Sequence, residues 1–186
     1  MLKRLLLVAM LCTPFAAWAL FKPVRVIAPE LAGLSCIGDT LCTDDRSKHR
    51  EAAKLYDEAL AFVDSAVGAI ENEPRVIFCS SDACAEYFGI GKRGGMSIGR
   101  AGIVIGPRAW KPYYVRHEMI HHLQHERLGL IKVLMLPKWF KEGMAYSLSE
   151  DPRPNLSEPF ENFRSRFEAW YSNVGKERLW VEASKL

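Results

Sequence analysis

The sequence predicts an α+β fold: a short β-sheet packed on helices, followed by a helical C-terminal part. Three observations predict it. Two compact apolar runs, Arg75–Cys79 and Ala101–Ile105, are short, rich in β-branched residues and bounded by turn formers. Between Ser47 and Glu71, apolar residues recur at i, i+3 and i+4, as on one face of a helix. From Pro112 onward the patterns are helical.

Taken in order, residues 20–45 carry prolines, glycines and a cysteine pair. They predict an irregular arm with a short strand at Val24–Ile27. The helix from Ser47 places Ala52, Leu55, Tyr56, Leu60, Phe62, Val63, Val67 and Ile70 on one stripe. His49 lies at its polar start and reads as a surface residue. Asn72-Glu73-Pro74 stops the helix. After the strand at Arg75–Cys79, Ser80, Ser81 or Asp82 caps a short helix running to Tyr87, ended by Gly89. Gly91–Gly95 reads as a flexible hairpin tip. It lacks the leading strand and following helix of a phosphate loop. The strand Ala101–Ile105 stops at Gly106-Pro107. Pro112 suits the first turn of the next helix and Gly129 its end. Leu130–Leu136 is an apolar connector, expected to be buried, with a membrane-facing loop as the alternative. Helices then follow at Lys138–Ser149 and Glu158–Tyr171.

The 186 residues suit one domain, and 49% apolar residues suffice for a core. Residues 1–19 have the layout of a secretory signal. Lys3 and Arg4 supply positive charge, Leu5–Ala16 an apolar run, and Ala17-Trp18-Ala19 a small-x-small cleavage site. The competing reading is an uncleaved anchor, against which stand Pro14 and a marginal length. Cleavage leaves a single domain, 20–186, in the periplasm or secreted. Membrane association is then expected only if the segment stays uncleaved. Without Lys3 and Arg4, 23 basic residues face 22 acidic ones, a balance that argues against nucleic acid as a partner. Four cysteines remain: Cys36, Cys42, Cys79 and Cys84. In an exported chain they suggest disulfides, and short spacing favours Cys36–Cys42 and Cys79–Cys84 among three connectivities. Thiolate ligation of a metal is the alternative, but neither spacing is Cys-x-x-Cys.

The chemistry concentrates at His117-Glu118-Met119-Ile120-His121. On a helix, His117 and His121 are one turn apart on one face, able to take two corners of a tetrahedral zinc site. Glu118 points to one side, where it can accept a proton from the attacking water. A zinc hydrolase site needs a third protein ligand. His125 continues the series, but a further turn puts it over about 10 Å from the turn of His117. Glu142, in Trp139-Phe140-Lys141-Glu142-Gly143-Met144-Ala145, lies on a separate helix beyond the stop at Gly129. Gly143 and Ala145 permit close helix approach there.

His-Glu-x-x-His followed by Trp-x-x-Glu-Gly-x-Ala resembles the gluzincin zinc peptidases, related to the aminopeptidase N and thermolysin catalytic domains. The matching residues are His117, Glu118, His121, Trp139, Glu142, Gly143 and Ala145, and the resemblance covers about residues 95–150. It implies a small zincin-like domain in which Zn2+ is held by His117, His121 and Glu142. Glu118 is the implied general base and a peptide or protein the substrate. It also implies an edge strand beside the active-site helix that pairs with extended substrate, and Ala101–Ile105 stands in the right order for it. Aminopeptidase relatives carry Gly-x-Met-Glu-Asn; here Gly94-Gly95-Met96-Ser97-Ile98 has serine at the glutamate position. The family uses a tyrosine or histidine from a later helix as oxyanion donor. Tyr171 is the candidate, with Tyr146 and Tyr114 competing, and Tyr146 one turn after Glu142 can instead support that ligand. His122 points off the metal face, towards solvent or a carboxylate. Two other functions fit the same residues: a zinc-stabilised interaction or chaperone-like module without turnover, and a hydrolase of non-peptide substrates.

Overall fold

The computed structural model describes residues 22–186, so the signal sequence expected at residues 1–19 lies outside the described residues. The architecture is α+β. Five short strands form one mixed sheet: β1 (Ser35–Ile37), β2 (Leu41–Thr43), β3 (Val76–Phe78), β4 (Gly95–Ser97) and β5 (Ile103–Ile105). Their order is β1-β2-β3-β5-β4. The outer pairs β1/β2 and β4/β5 are antiparallel, whereas β2/β3 and β3/β5 are parallel. The helices are α1 (His49–Ala66), α2 (Asp82–Tyr87), α3 (Pro112–Leu128), α4 (Leu130–Met135), α5 (Lys138–Leu148), α6 (Phe160–Val174) and α7 (Leu179–Ala183). Among the described residues, no helix is long and apolar enough to cross a membrane.

Period-two alternation in the central strands divides the core in two. Val76, Phe78, Ile103 and Ile105 join one cluster, with Ala59 and Val63 of α1, Met119 and Leu123 of α3, Phe140 and Met144 of α5 and Phe167 of α6. Ile77 and Val104 point the other way, into a smaller cluster with Val26, Phe88, Ile90 and the cysteines Cys42, Cys79 and Cys84. The disulfides are Cys36–Cys42 and Cys79–Cys84. The first joins directly opposed residues of β1 and β2.

Several expectations need correction. Val24–Ile27 is not a strand but part of a 3-10 helix, Lys22–Ile27. It lies on no ladder, and its end closes locally through the Ala28 N–H to the Arg25 carbonyl, 3.2 Å. The cysteine arm is not irregular: it holds β1 and β2, each too short for a period to be visible. Helix α1 ends at Ala66, because Asp64 accepts the Ile70 N–H and turns the chain out of the helix. The hairpin turn is at residues 98–102, closed by the Ile98 N–H to the Gly102 carbonyl at 2.8 Å. Gly95, expected in the tip, starts β4. Consequently the strand at the sheet edge is β4, while Ile103–Ile105 lies between β3 and β4. The connector Leu130–Leu136 buries only Val133 and Leu136. Leu130, Ile131, Leu134 and Met135 are 59–75% exposed. Past Tyr171, α6 continues to Val174, and α7 packs Leu179 and Ala183 into the core.

Close packing of α5 on α6 positions the second half of the site. A Cβ on Gly143 would stand 2.2 Å from the Phe163 carbonyl oxygen and 2.7 Å from Phe167 Cβ. Only glycine permits this approach, and it fixes the helix that carries Glu142.

Candidate metal centre

Helix α3 presents His117 and His121 from successive turns of one face. Helix α5 lies alongside and presents Glu142. The His117 and His121 Nε2 atoms converge to 3.2 Å. Glu142 Oε2 stands 3.8 Å from His117 Nε2 and 3.7 Å from His121 Nε2. Tetrahedral bonds of zinc-to-nitrogen length put ligand atoms about 3.3 Å apart. The three atoms therefore surround one point, with a small inward movement of the carboxylate required. Two imidazoles and one carboxylate are also the donor set of zinc hydrolases.

A second contact fixes which histidine nitrogen faces that point. Gln124 is fully buried, and its Nε2 donates to the Lys141 carbonyl at 3.0 Å. Its Oε1 is left to accept from His121 Nδ1, also at 3.0 Å. With Nδ1 carrying the proton, His121 Nε2 offers its lone pair to a metal. Lys141 precedes Glu142, so this one amide ties both halves of the site together.

The electrostatics of the three groups follow from burial and mutual charge. For His117, burial pushes the pKa down to about 3, and the charge of His121 adds to this. For His121, burial opposes the charged form. The hydrogen bond and charge of Glu142, with Glu118 behind, outweigh it and raise the pKa to about 9. Glu142 is likewise opposed by burial, and its histidine partners bring it down to about 2. In the metal-free protein a positive charge thus resides at His121 against the Glu142 carboxylate.

Glu118 is buried on the flank of this cluster, against the edge strand. A Cβ on Gly95 of β4 would come within 2.7 Å of Glu118 Cγ and 2.9 Å of its Oε1. The carboxylate therefore occupies space that a side chain at residue 95 would fill. Burial drives its pKa up to about 7, and Glu142 adds to the rise. His121, the Ser97 backbone N–H and Arg93 oppose it. A carboxylate poised near neutrality suits proton transfer.

Glu118, the two histidines and Glu142 line one cleft of about 510 Å³, with Gly94–Ser97 along one wall and Tyr114 and Tyr146 along another. That volume is typical of a ligand site. No protein-family model, curated protein or solved structure matches the chain.

The remaining candidates separate clearly. Tyr171 is not among the residues lining the cleft. Its ring stacks on Phe167 at 5.3 Å, on the stripe that packs α6. Tyr146 packs edge-on against the His117 ring at 4.5 Å and lines the cleft. Burial raises its pKa to about 12, so its hydroxyl keeps its proton. Tyr114 also lines the cleft, and its hydroxyl accepts from Arg153 Nη1 at 3.3 Å, with Arg153 held by Asp151. His122 does not face solvent or a carboxylate: it is buried, and its Nε2 meets the Asn72 carbonyl at 2.9 Å. His125 stands outside the cluster of three. His49 is half-buried, with Nε2 3.2 Å from the Ser35 carbonyl. Sequence reasoning missed Gln124, Gly95 as the neighbour of Glu118, and Arg153. Gln124 alone left a local sign, three residues after His121 on the same helix.

Proposed function

We propose that the chain is an exported zinc metallopeptidase of gluzincin type, with a zincin-like domain and a periplasmic or secreted location. The observation that carries this reading is the convergence of His117 Nε2, His121 Nε2 and Glu142 Oε2 on one point, with buried Glu118 beside it. The two disulfides agree with an oxidising compartment. Zinc held there supplies a Lewis acid that polarises a carbonyl and acidifies water.

The protein's own groups then have defined tasks. Glu118 accepts a proton from the attacking water and returns it to the leaving amine. Tyr146, protonated and beside His117, donates to the developing oxyanion. The outer edge of β4 has backbone groups unpaired by β5, and an extended peptide pairs with them by strand addition. Glycine at 95 lets that backbone come close to Glu118, and glycine at 94 lets it come close to Tyr114.

The test is metal analysis combined with a broad peptide-library digest. Wild-type protein purified in metal-replete medium should hold near-stoichiometric zinc and cleave. Glu118→Gln should hold zinc and not cleave. Protein without zinc would refute the reading. Zinc bound with Glu118 intact but no cleavage would identify the non-hydrolytic interaction module instead.

A further inference from the structure

Helix α4 exposes more apolar surface than its position in the fold explains. Leu130 is 59% exposed, Ile131 75%, Leu134 70% and Met135 71%. They fall at i, i+1, i+4 and i+5, so they form one face. The opposite face is spent on the core, where Val133 and Leu136 are 4% exposed. Four large apolar side chains on one turn and a half of helix are a patch, not scattered exposure. Only Leu134 of the four lines the cleft. The patch therefore extends beyond anything a substrate in the cleft would cover.

Along the chain, the charges that flank it are of one sign. Between Glu126 and Glu142 the chain has Arg127, Lys132, Lys138 and Lys141 and no acidic residue. Arg127 is paired with Glu71. The three lysines make no ion pair among the described residues. An apolar helix face rimmed by unpaired lysines matches the layered chemistry of an anionic bilayer surface, acyl chains below and phosphates above. A second copy of the chain fits worse. A two-fold interface through α4 would gather Lys132 and Lys138 of both copies into one interface, like charge against like.

We infer that α4 docks the protein onto an anionic lipid surface. Leu130, Ile131, Leu134 and Met135 enter the acyl boundary, and Lys132 and Lys138 meet lipid phosphates. Because Val133 and Leu134 also line the cleft, the docked enzyme holds the mouth of its site at the membrane. The substrates reached first are then membrane-proximal segments. Docking is read as binding, so it stands or falls apart from the hydrolytic reading.

The experiment is hydrogen exchange on the full chain, followed at the amides of residues 130–136. It is run alone, with phosphatidylcholine vesicles, and with vesicles containing phosphatidylglycerol. Protection is expected only with the anionic vesicles. Ile131→Ser/Met135→Ser, which leaves the cleft lining intact, should weaken vesicle binding on the order of tenfold or more. Lys132→Glu/Lys138→Glu should do the same through charge. Exchange at these amides unchanged by vesicles would overturn the inference. So would equal protection on uncharged vesicles. Protection that grows with protein concentration and needs no lipid would assign the face to a second copy.

Discussion

Replacing Gln124 by methionine should weaken zinc binding without dismantling the fold. The side chains have similar volume, and Gln124 is fully buried, so packing is nearly kept. Three hydrogen bonds are lost: His121 Nδ1 to Oε1 at 3.0 Å, Nε2 to the Lys141 carbonyl at 3.0 Å, and a weak one from Nε2 to Met144 Sδ at 3.4 Å. The first holds the His121 ring with its Nε2 towards the site. Without it the ring rotates and the other tautomer becomes accessible. The second holds α5 where Glu142 reaches the histidines. Losing such a partner of a metal ligand typically costs about 10–100-fold in affinity. That corresponds to about 1.4–2.7 kcal/mol. The Lys141 carbonyl keeps its intrahelical partner, so losing the Gln124 bond adds a stability cost of only about 0.5–1.5 kcal/mol. Competition against a chromophoric zinc chelator measures the affinity, and needs no substrate. Urea unfolding of the metal-free protein measures the second cost separately. Zinc affinity in Gln124→Met equal to wild type would refute the claim that this amide orients His121.

Three further outcomes follow from the same geometry. Gly95→Ala puts a methyl 2.7 Å from Glu118 Cγ, so the base must swing away; zinc content should hold while kcat on a peptide substrate falls on the order of a hundredfold, and an unchanged kcat would remove Glu118 from proton transfer. Tyr146→Phe should lower kcat by about 10²–10³ with little change in KM, whereas Tyr171→Phe, whose ring lies on Phe167, should leave kcat as it was; steady-state kinetics on both variants distinguish the donors. The third outcome concerns pH. Glu142 is lowered from 4.5 to about 2, so its pairing stabilises the metal-free fold above pH 4.5 and is lost as pH falls towards 2. His121 is raised from 6.5 to about 9, so its contribution is complete below pH 6.5 and is lost as pH rises to 9. Zinc takes the neutral imidazole and displaces that proton. The rise in Tm on adding zinc should therefore grow between pH 6.5 and 9, and calorimetry finding it shrink would contradict the ligand set.

What the sequence makes legible is whatever depends on a local period. On a helix His117 and His121 are one turn apart whatever surrounds them, and Gly129 marks a helix end that separates them from Glu142. Gln124 acts only through the Lys141 carbonyl of another helix, so its role exists only in the packed structure. Strand β4 was illegible because Gly95-Met96-Ser97 is too short and too mixed to carry an alternation. The placing of Ala101–Ile105 at the edge failed against a signal already present. Ile103-Val104-Ile105 is apolar at every position, as in a strand covered on both faces, whereas an edge strand tends to alternate or carry charge. Tyr171 failed similarly. It stands four residues after Phe167, so the spacing that sends Phe167 to the core sends Tyr171 beside it. Helix α4 is the converse case. Its hydrophobicity was plain, but burial depends on what else the fold has to cover, and α3 and α5 need only Val133 and Leu136. The other four side chains are apolar without a partner inside the molecule. A local choice that disagrees with the fold is what a functional surface looks like from the sequence side. At α4 the disagreement sits at the lip of the cleft, next in the chain to Lys132 and Lys138, which make no ion pair among the described residues.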